Sequence, residues 1–65
     1  MPSTVIQSFE YRADSLELEI IFTTGRCYLY TDVPPELAEA FRMALSKGRF
    51  FNLRIRDRYD YRELC

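Results

Sequence analysis

The sequence predicts an α+β domain: a three-stranded antiparallel β-meander followed by one or two helices packed on one face. Three observations carry this. Leu16, Leu18, Ile20 and Phe22 alternate with Glu17, Glu19 and Ile21, the period of a half-buried strand. A glycine-containing turn, Thr23-Thr24-Gly25-Arg26, follows at once and leads into a second apolar stretch, Cys27 to Thr31. Val33-Pro34-Pro35-Glu36 then opens a segment in which Leu37, Phe41, Ala44 and Leu45 recur at helical spacing. The length, 65 residues, allows one domain, residues 1–65, with a small core of about 3–5 kcal/mol.

The first strand is expected from about Val5 to Tyr11, ending at the polar turn Arg12-Ala13-Asp14-Ser15. The second runs from Leu16 to Phe22 and the third from Cys27 to Thr31, with Gly25 supplying a positive φ between them. If the turns close on Tyr11/Leu16 and Phe22/Cys27, then Phe9 faces Leu18, Ile6 faces Ile21, Ile21 faces Tyr28 and Glu19 faces Tyr30. One sheet face then carries Val5, Phe9, Tyr11, Leu16, Leu18, Ile20, Phe22, Cys27 and Leu29, the core side. The other carries Ile6, Ser8, Glu10, Glu17, Glu19, Ile21, Tyr28 and Tyr30.

Proline keeps its preceding residue extended, so the helix begins no earlier than about Pro34. Pro35 suits its first turn, and Glu36 complements the helix dipole. Ser46-Lys47-Gly48 ends it. Beyond lies an ambiguous stretch. Phe51, Leu53 and Ile55 alternate as in a strand, whereas Phe51, Ile55 and Tyr59 stand four apart as in a helix. The preferred reading is a short helix over about 47–56, N-capped by Ser46, and an extended tail carrying Tyr59 and Tyr61.

The series Leu16-x-Leu-x-Ile-x-Phe, the glycine turn, Tyr28-x-Tyr30, Asp32-Val33-Pro34, Ser46-Lys47-Gly48-Arg49-Phe50-Phe51-Asn52, Ile55-Arg56 and Tyr59 resembles the KTSC domain. That family occurs as a C-terminal appendage of some bacterial lysyl-tRNA synthetases and as small stand-alone proteins. The family's function is unassigned, so the resemblance implies the fold and no mechanism. RNA, tRNA in particular, is the ligand suggested by the fusion.

Chemistry in the sequence is sparse. Histidine is absent, and with it the commonest general base and metal ligand. Neither cysteine has zinc-site spacing, and isolated Gly25 and Gly48 make no phosphate loop. No enzymatic activity, cofactor or metal is therefore expected. Two cysteines are too few for a disulfide framework. They read as thiols of a cytosolic protein, with a Cys27–Cys65 bridge as the lesser alternative. There is no apolar run long enough to span a membrane, and Met1-Pro2-Ser3-Thr4 lacks the features of a secretory signal. The expected location is the cytoplasm.

Charge is divided unevenly. Residues 1–41 carry two basic side chains against seven acidic, and residues 42–65 seven basic against three acidic. Two readings follow. In the first, Tyr28 and Tyr30 stack RNA bases while Lys47, Arg49, Arg54, Arg56 and Arg58 hold phosphates. Glu10, Glu17 and Glu19, expected on the tyrosine face, oppose it. In the second, Ile6, Ile21 and Tyr28 form an apolar row across the exposed sheet face and bind a protein partner or a second copy. For the tyrosines and arginines alike, the plain alternative is ordinary packing and a solvated, partly paired surface.

Overall fold

The structure, a computed structural model, describes residues 6–64. Four antiparallel strands lie in the order β1-β2-β3-β4: β1 Ile6–Arg12, β2 Glu17–Phe22, β3 Cys27–Tyr30 and β4 Tyr61–Glu63. Between β3 and β4 the chain passes over one sheet face as α1 (Pro35–Met43) and α2 (Lys47–Phe50), and α2 runs on into a π-helical segment, Phe51–Ile55. The α+β class is as expected. The extended tail is more than a tail: pairing of Tyr30 with Tyr61 and Tyr28 with Glu63 makes it a fourth strand. Val5, expected to open β1, lies outside the described residues, as does Cys65.

The register differs from expectation at both turns, with unequal consequences. At the second turn the Phe22 N–H donates to the Arg26 carbonyl, and the Gly25 N–H donates to the Phe22 carbonyl, each at 2.9 Å. Phe22 and Arg26 therefore close a three-residue loop, with Gly25 at φ +94°. The expected loop held one residue more. Losing it slips the pairing by one, giving Ile21↔Cys27, Ile20↔Tyr28, Glu19↔Leu29 and Leu18↔Tyr30. Such a slip exchanges faces. Tyr28 and Tyr30 join Leu18 and Ile20 on the core side, and Cys27 and Leu29 move to the side of Glu19 and Ile21.

At the first turn Leu16 leaves the strand. It takes a left-handed conformation, φ 57°, and its carbonyl accepts from the Val33 N–H at 2.9 Å. The closing pair becomes Arg12↔Glu17, so Phe9 faces Ile20 and Tyr11 faces Leu18. This displaces the expected pairing by two, which preserves the faces. A β-bulge between Ile6 and Ser8 then sets Ile6 opposite Phe22. Ile6 is consequently buried in the core instead of standing on the outer face.

Leu18, Ile20, Val33, Phe41 and Ile55 are completely inaccessible at 0 % exposure and form the centre of the core. The Phe41 ring meets Phe9 edge-on at 4.7 Å and Phe50 at 5.6 Å. Tyr11 adds a polar latch, its hydroxyl donating to the Val33 carbonyl at 2.6 Å. Burial, and secondarily Glu36, hold the Tyr11 phenol above its usual pKa.

Helix α1 ends sooner than the apolar spacing suggests. Ala44 is already extended (φ −67°, ψ 139°), its N–H donates to the Phe41 carbonyl at 3.2 Å, and its own carbonyl accepts from Lys47 Nζ at 2.8 Å. Leu45 is thereby fully exposed rather than sharing the buried face of Leu37 and Phe41. Ser46 caps α2 as expected, its hydroxyl accepting from the Arg49 N–H at 3.3 Å. The helix closes with the Arg56 N–H donating to the Phe51 carbonyl at 2.8 Å, one residue beyond the α-helical partner. Cys27 is disulfide-bonded, which corrects its reading as a thiol.

Candidate functional site

The helices cover the β1–β2 half of the sheet face and leave the β3–β4 half partly open. A cleft of about 330 Å³ lies there. Its floor is Tyr28 and Tyr30 from β3, its back wall is Phe22 and Phe51, and Tyr61 of β4 forms the outer side. The rings interlock. Tyr28 meets Phe22 at 5.5 Å and Tyr61 at 5.3 Å, both edge-on. Tyr30 meets Phe51 at 5.6 Å and lies tilted by 34° against Tyr61 at 5.3 Å. Exposure grades across them: Tyr30 is buried at 4 %, Tyr28 is half-buried, and Tyr61 is 59 % exposed.

Arg56 and Asp57 form the lip of the cleft. The π-helical turn delivers them there: Ile55 is the last core residue, and the chain turns at Asp57, φ 65°, to enter β4. A second hollow, lined by Arg58, Tyr59 and Asp60, adjoins the first and shares Asp57 and Tyr61 with it. The Tyr30 phenol registers this setting. Burial pushes its pKa up to about 12, helped by Tyr61 and Tyr28, while Arg56 pulls it down and Asp57 pushes it up. At the far end of β3 the Arg26 guanidinium is hydrogen-bonded to Tyr28 and faces Glu63 at 3.7 Å, which raises its own pKa.

The residues singled out in the sequence are distributed as follows. Tyr28, Tyr30 and Arg56 meet in the cleft, and Arg58 lies beside it. Arg54 stands over the Phe50 ring at 5.5 Å and lines a separate hollow with Tyr59 and Glu36. Lys47 is engaged with the end of α1, and Arg49 is exposed on α2. Among the described residues no carboxylate lies within 4.0 Å of Arg49, Arg54, Arg56 or Arg58; the ion pairs are Arg12 with Glu10 and Glu19, Arg26 with Glu63, and Arg42 with Glu39. Ile6, Ile21 and Tyr28 do not form the expected row. The bulge buries Ile6, and the shorter second loop puts Tyr28 on the opposite side from Ile21.

The same shift takes Glu10, Glu17 and Glu19 off the tyrosine face, where the acids are instead Glu63, opposite Tyr28 and paired with Arg26, and Asp57 on the cleft lip. Glu10, Glu17 and Glu19 remain on the outer face, with Glu19 bound to Arg12 at 3.4 Å, while the tyrosines face the other way. Tyr61, Phe51 and Asp57 were not singled out as site residues. The signal for Tyr61 was present in Tyr59-x-Tyr61, a second tyrosine alternation, but only the pairing with β3 gives it a position.

A sheet half covered by helices, with an aromatic cleft at its open end and arginines there that have no ion-pair partner among the described residues, defines a small α+β domain of mixed aromatic and charged surface. The chain belongs to the KTSC domain family, whose profile matches residues 2–59. The crystal structure of a KTSC domain protein from Yersinia pestis superposes with a TM-score of 0.87 at 38% identity, covering 92% of this chain and 84% of that one. A lysine–tRNA ligase from Nostoc punctiforme is 36% identical over 61 residues, which are 94% of this chain but only 11% of the ligase. An uncharacterised protein from Stutzerimonas stutzeri is 38% identical over 52 residues, 80% of this chain and 73% of that protein. Among the described residues no helix is long and apolar enough to cross a membrane, and no three acidic, cysteine or histidine side chains are grouped as metal ligands.

Proposed function

We propose that this domain is a non-catalytic RNA-binding module whose contact surface is the aromatic cleft and the arginines beside it. One observation carries the reading: Tyr28 and Tyr61 share a cleft with Arg56, on the face that Glu10, Glu17 and Glu19 do not occupy. Base stacking needs an accessible ring, and phosphate binding needs cations not already neutralised. Tyr61 supplies the ring; Arg56 and Arg58 supply the cations, with Arg54 further along the same basic segment. Tyr30 is too buried to stack and acts as the floor. The likeness to a segment of a lysine–tRNA ligase favours tRNA among RNAs.

The test is fluorescence anisotropy of labelled tRNA and of a labelled single-stranded RNA, titrated with protein across a salt series. The expected result is micromolar binding whose log affinity falls with log salt at a slope of about 2–4, as counterions leave the contacted phosphates. Absence of binding to both RNAs at low salt removes the reading.

A further inference from the structure

We infer that the cleft admits a single unpaired nucleobase and prefers guanine, with Asp57 as the residue that sets the preference. This rests on the RNA-binding reading and names the part of the RNA that is read. Size comes first. At about 330 Å³ the cleft stands at the bottom of the ~300–1,000 Å³ range of ligand sites. It has room for one flat ring system and none for a duplex. Number comes next. Of its tyrosines only Tyr61 is largely exposed, so one ring face is offered to one base, rather than the several of a stacking platform.

Chemistry then discriminates among bases. A carboxylate accepts hydrogen bonds and donates none. Asp57 lies on the cleft lip, and among the described residues no cation is within 4.0 Å of it. A base stacked on Tyr61 with its Watson–Crick edge turned to the lip would meet that carboxylate. Guanine offers two adjacent N–H donors there, matched to the two oxygens of a carboxylate. Adenine and cytosine offer one amino group beside an acceptor nitrogen, and uracil one N–H between two carbonyls, so each sets an acceptor against the carboxylate. Arg56 and Arg58 flank Asp57 in sequence and offer cations to the phosphates on either side of the base.

Four labelled pentanucleotides, UUGUU, UUAUU, UUCUU and UUUUU, titrated with the full chain at low salt, test the proposal alongside tRNA. UUGUU is expected to bind roughly tenfold more tightly than the other three, the discrimination typical of a two-point base contact. Asp57→Asn replaces one acceptor by a donor, and asparagine tolerates the left-handed backbone at this position, so the fold is kept. The variant is expected to lose the guanine preference, binding UUGUU and UUUUU with equal affinity. Equal binding of all four oligonucleotides by the native chain, or preference for another base, overturns guanine selection while RNA binding stands. A guanine preference that survives in Asp57→Asn overturns the role of Asp57. No binding to any oligonucleotide or to tRNA removes both readings together.

Discussion

The two halves of one sheet face have opposite fates. Over β1 and β2, Leu18 and Ile20 are sealed beneath Val33, Phe41 and Ile55. Over β3 and β4, Tyr28 is half-buried and Tyr61 is 59 % exposed, although both point the same way as Leu18 and Ile20. The difference lies in where the helical segment stops. Phe51 reaches across to Phe22 and Tyr30, and then the chain turns away at Asp57 and enters the sheet as β4. Alternation along a strand determines which way a side chain points; what lies above it depends on the length of the covering element. A face can thus begin as a core and end as a surface, and aromatic rings with a polar tip suit the transition.

The covered half should dominate stability. Phe41→Ala removes a wholly buried ring in contact with Phe9 and Phe50, at a cost of about 3–5 kcal/mol. A domain this small holds about that much in total, so the variant should be unfolded by circular dichroism at 25 °C. A cooperative melt in Phe41→Ala would show that the helices do not seal this half.

At the boundary between the halves, Tyr30 couples folding to pH. Its folded-state pKa is raised by burial from 10.0 to about 12, so its contribution is fully present below pH 10 and is lost as pH rises towards 12. Denaturant midpoints should therefore fall between these values, and Tyr30→Phe should fall less steeply. An identical decline in the variant would place the alkaline sensitivity elsewhere. Tyr11→Phe tests a smaller element of the covered half. Loss of the 2.6 Å bond leaves the Val33 carbonyl without its hydroxyl donor, costing about 1–2 kcal/mol, read as a lower midpoint at unchanged slope in urea.

Much of this was legible in the residues. The period-2 run through Leu18, Ile20 and Phe22, the Pro35 helix start, the Ser46 cap and the family resemblance rest on local rules, and local rules suffice for them. The orientation of Tyr28 and Tyr30 depended instead on whether the loop after Phe22 holds three residues or four. Thr23-Thr24-Gly25-Arg26 is compatible with both. Hydrogen bonding at Arg26 decides it, and one residue of loop length inverts a face. The bulge at Gln7 and the left-handed Leu16 were hidden for a related reason: neither position carries a glycine or asparagine to announce an irregular backbone. β4 reads in the sequence as an extended, unpaired tail, because a three-residue strand has no alternation long enough to assert itself. Asp57, left-handed like Leu16 and Asp32, is a residue whose side chain tolerates that conformation, and nothing in the sequence sets it apart from the charged residues around it.

The smallest effect on folding, and the sharpest division between the halves, is expected at Tyr61. It sits on an edge strand, mostly in water, and its two ring contacts are with Tyr28 of the open half and Tyr30 at the boundary. Tyr61→Ala should cost about 1 kcal/mol or less, leaving the fold intact. Its effect on RNA affinity should be larger, since one lost stacking platform is worth about 1–3 kcal/mol, a weakening of roughly 5- to 150-fold. Arg56→Ala should act differently again, reducing the salt slope by about one while changing stability little. Native-like affinity in a folded Tyr61→Ala protein would mean that the exposed ring is only an edge-strand cover. The two halves of the face would then differ in burial but not in role.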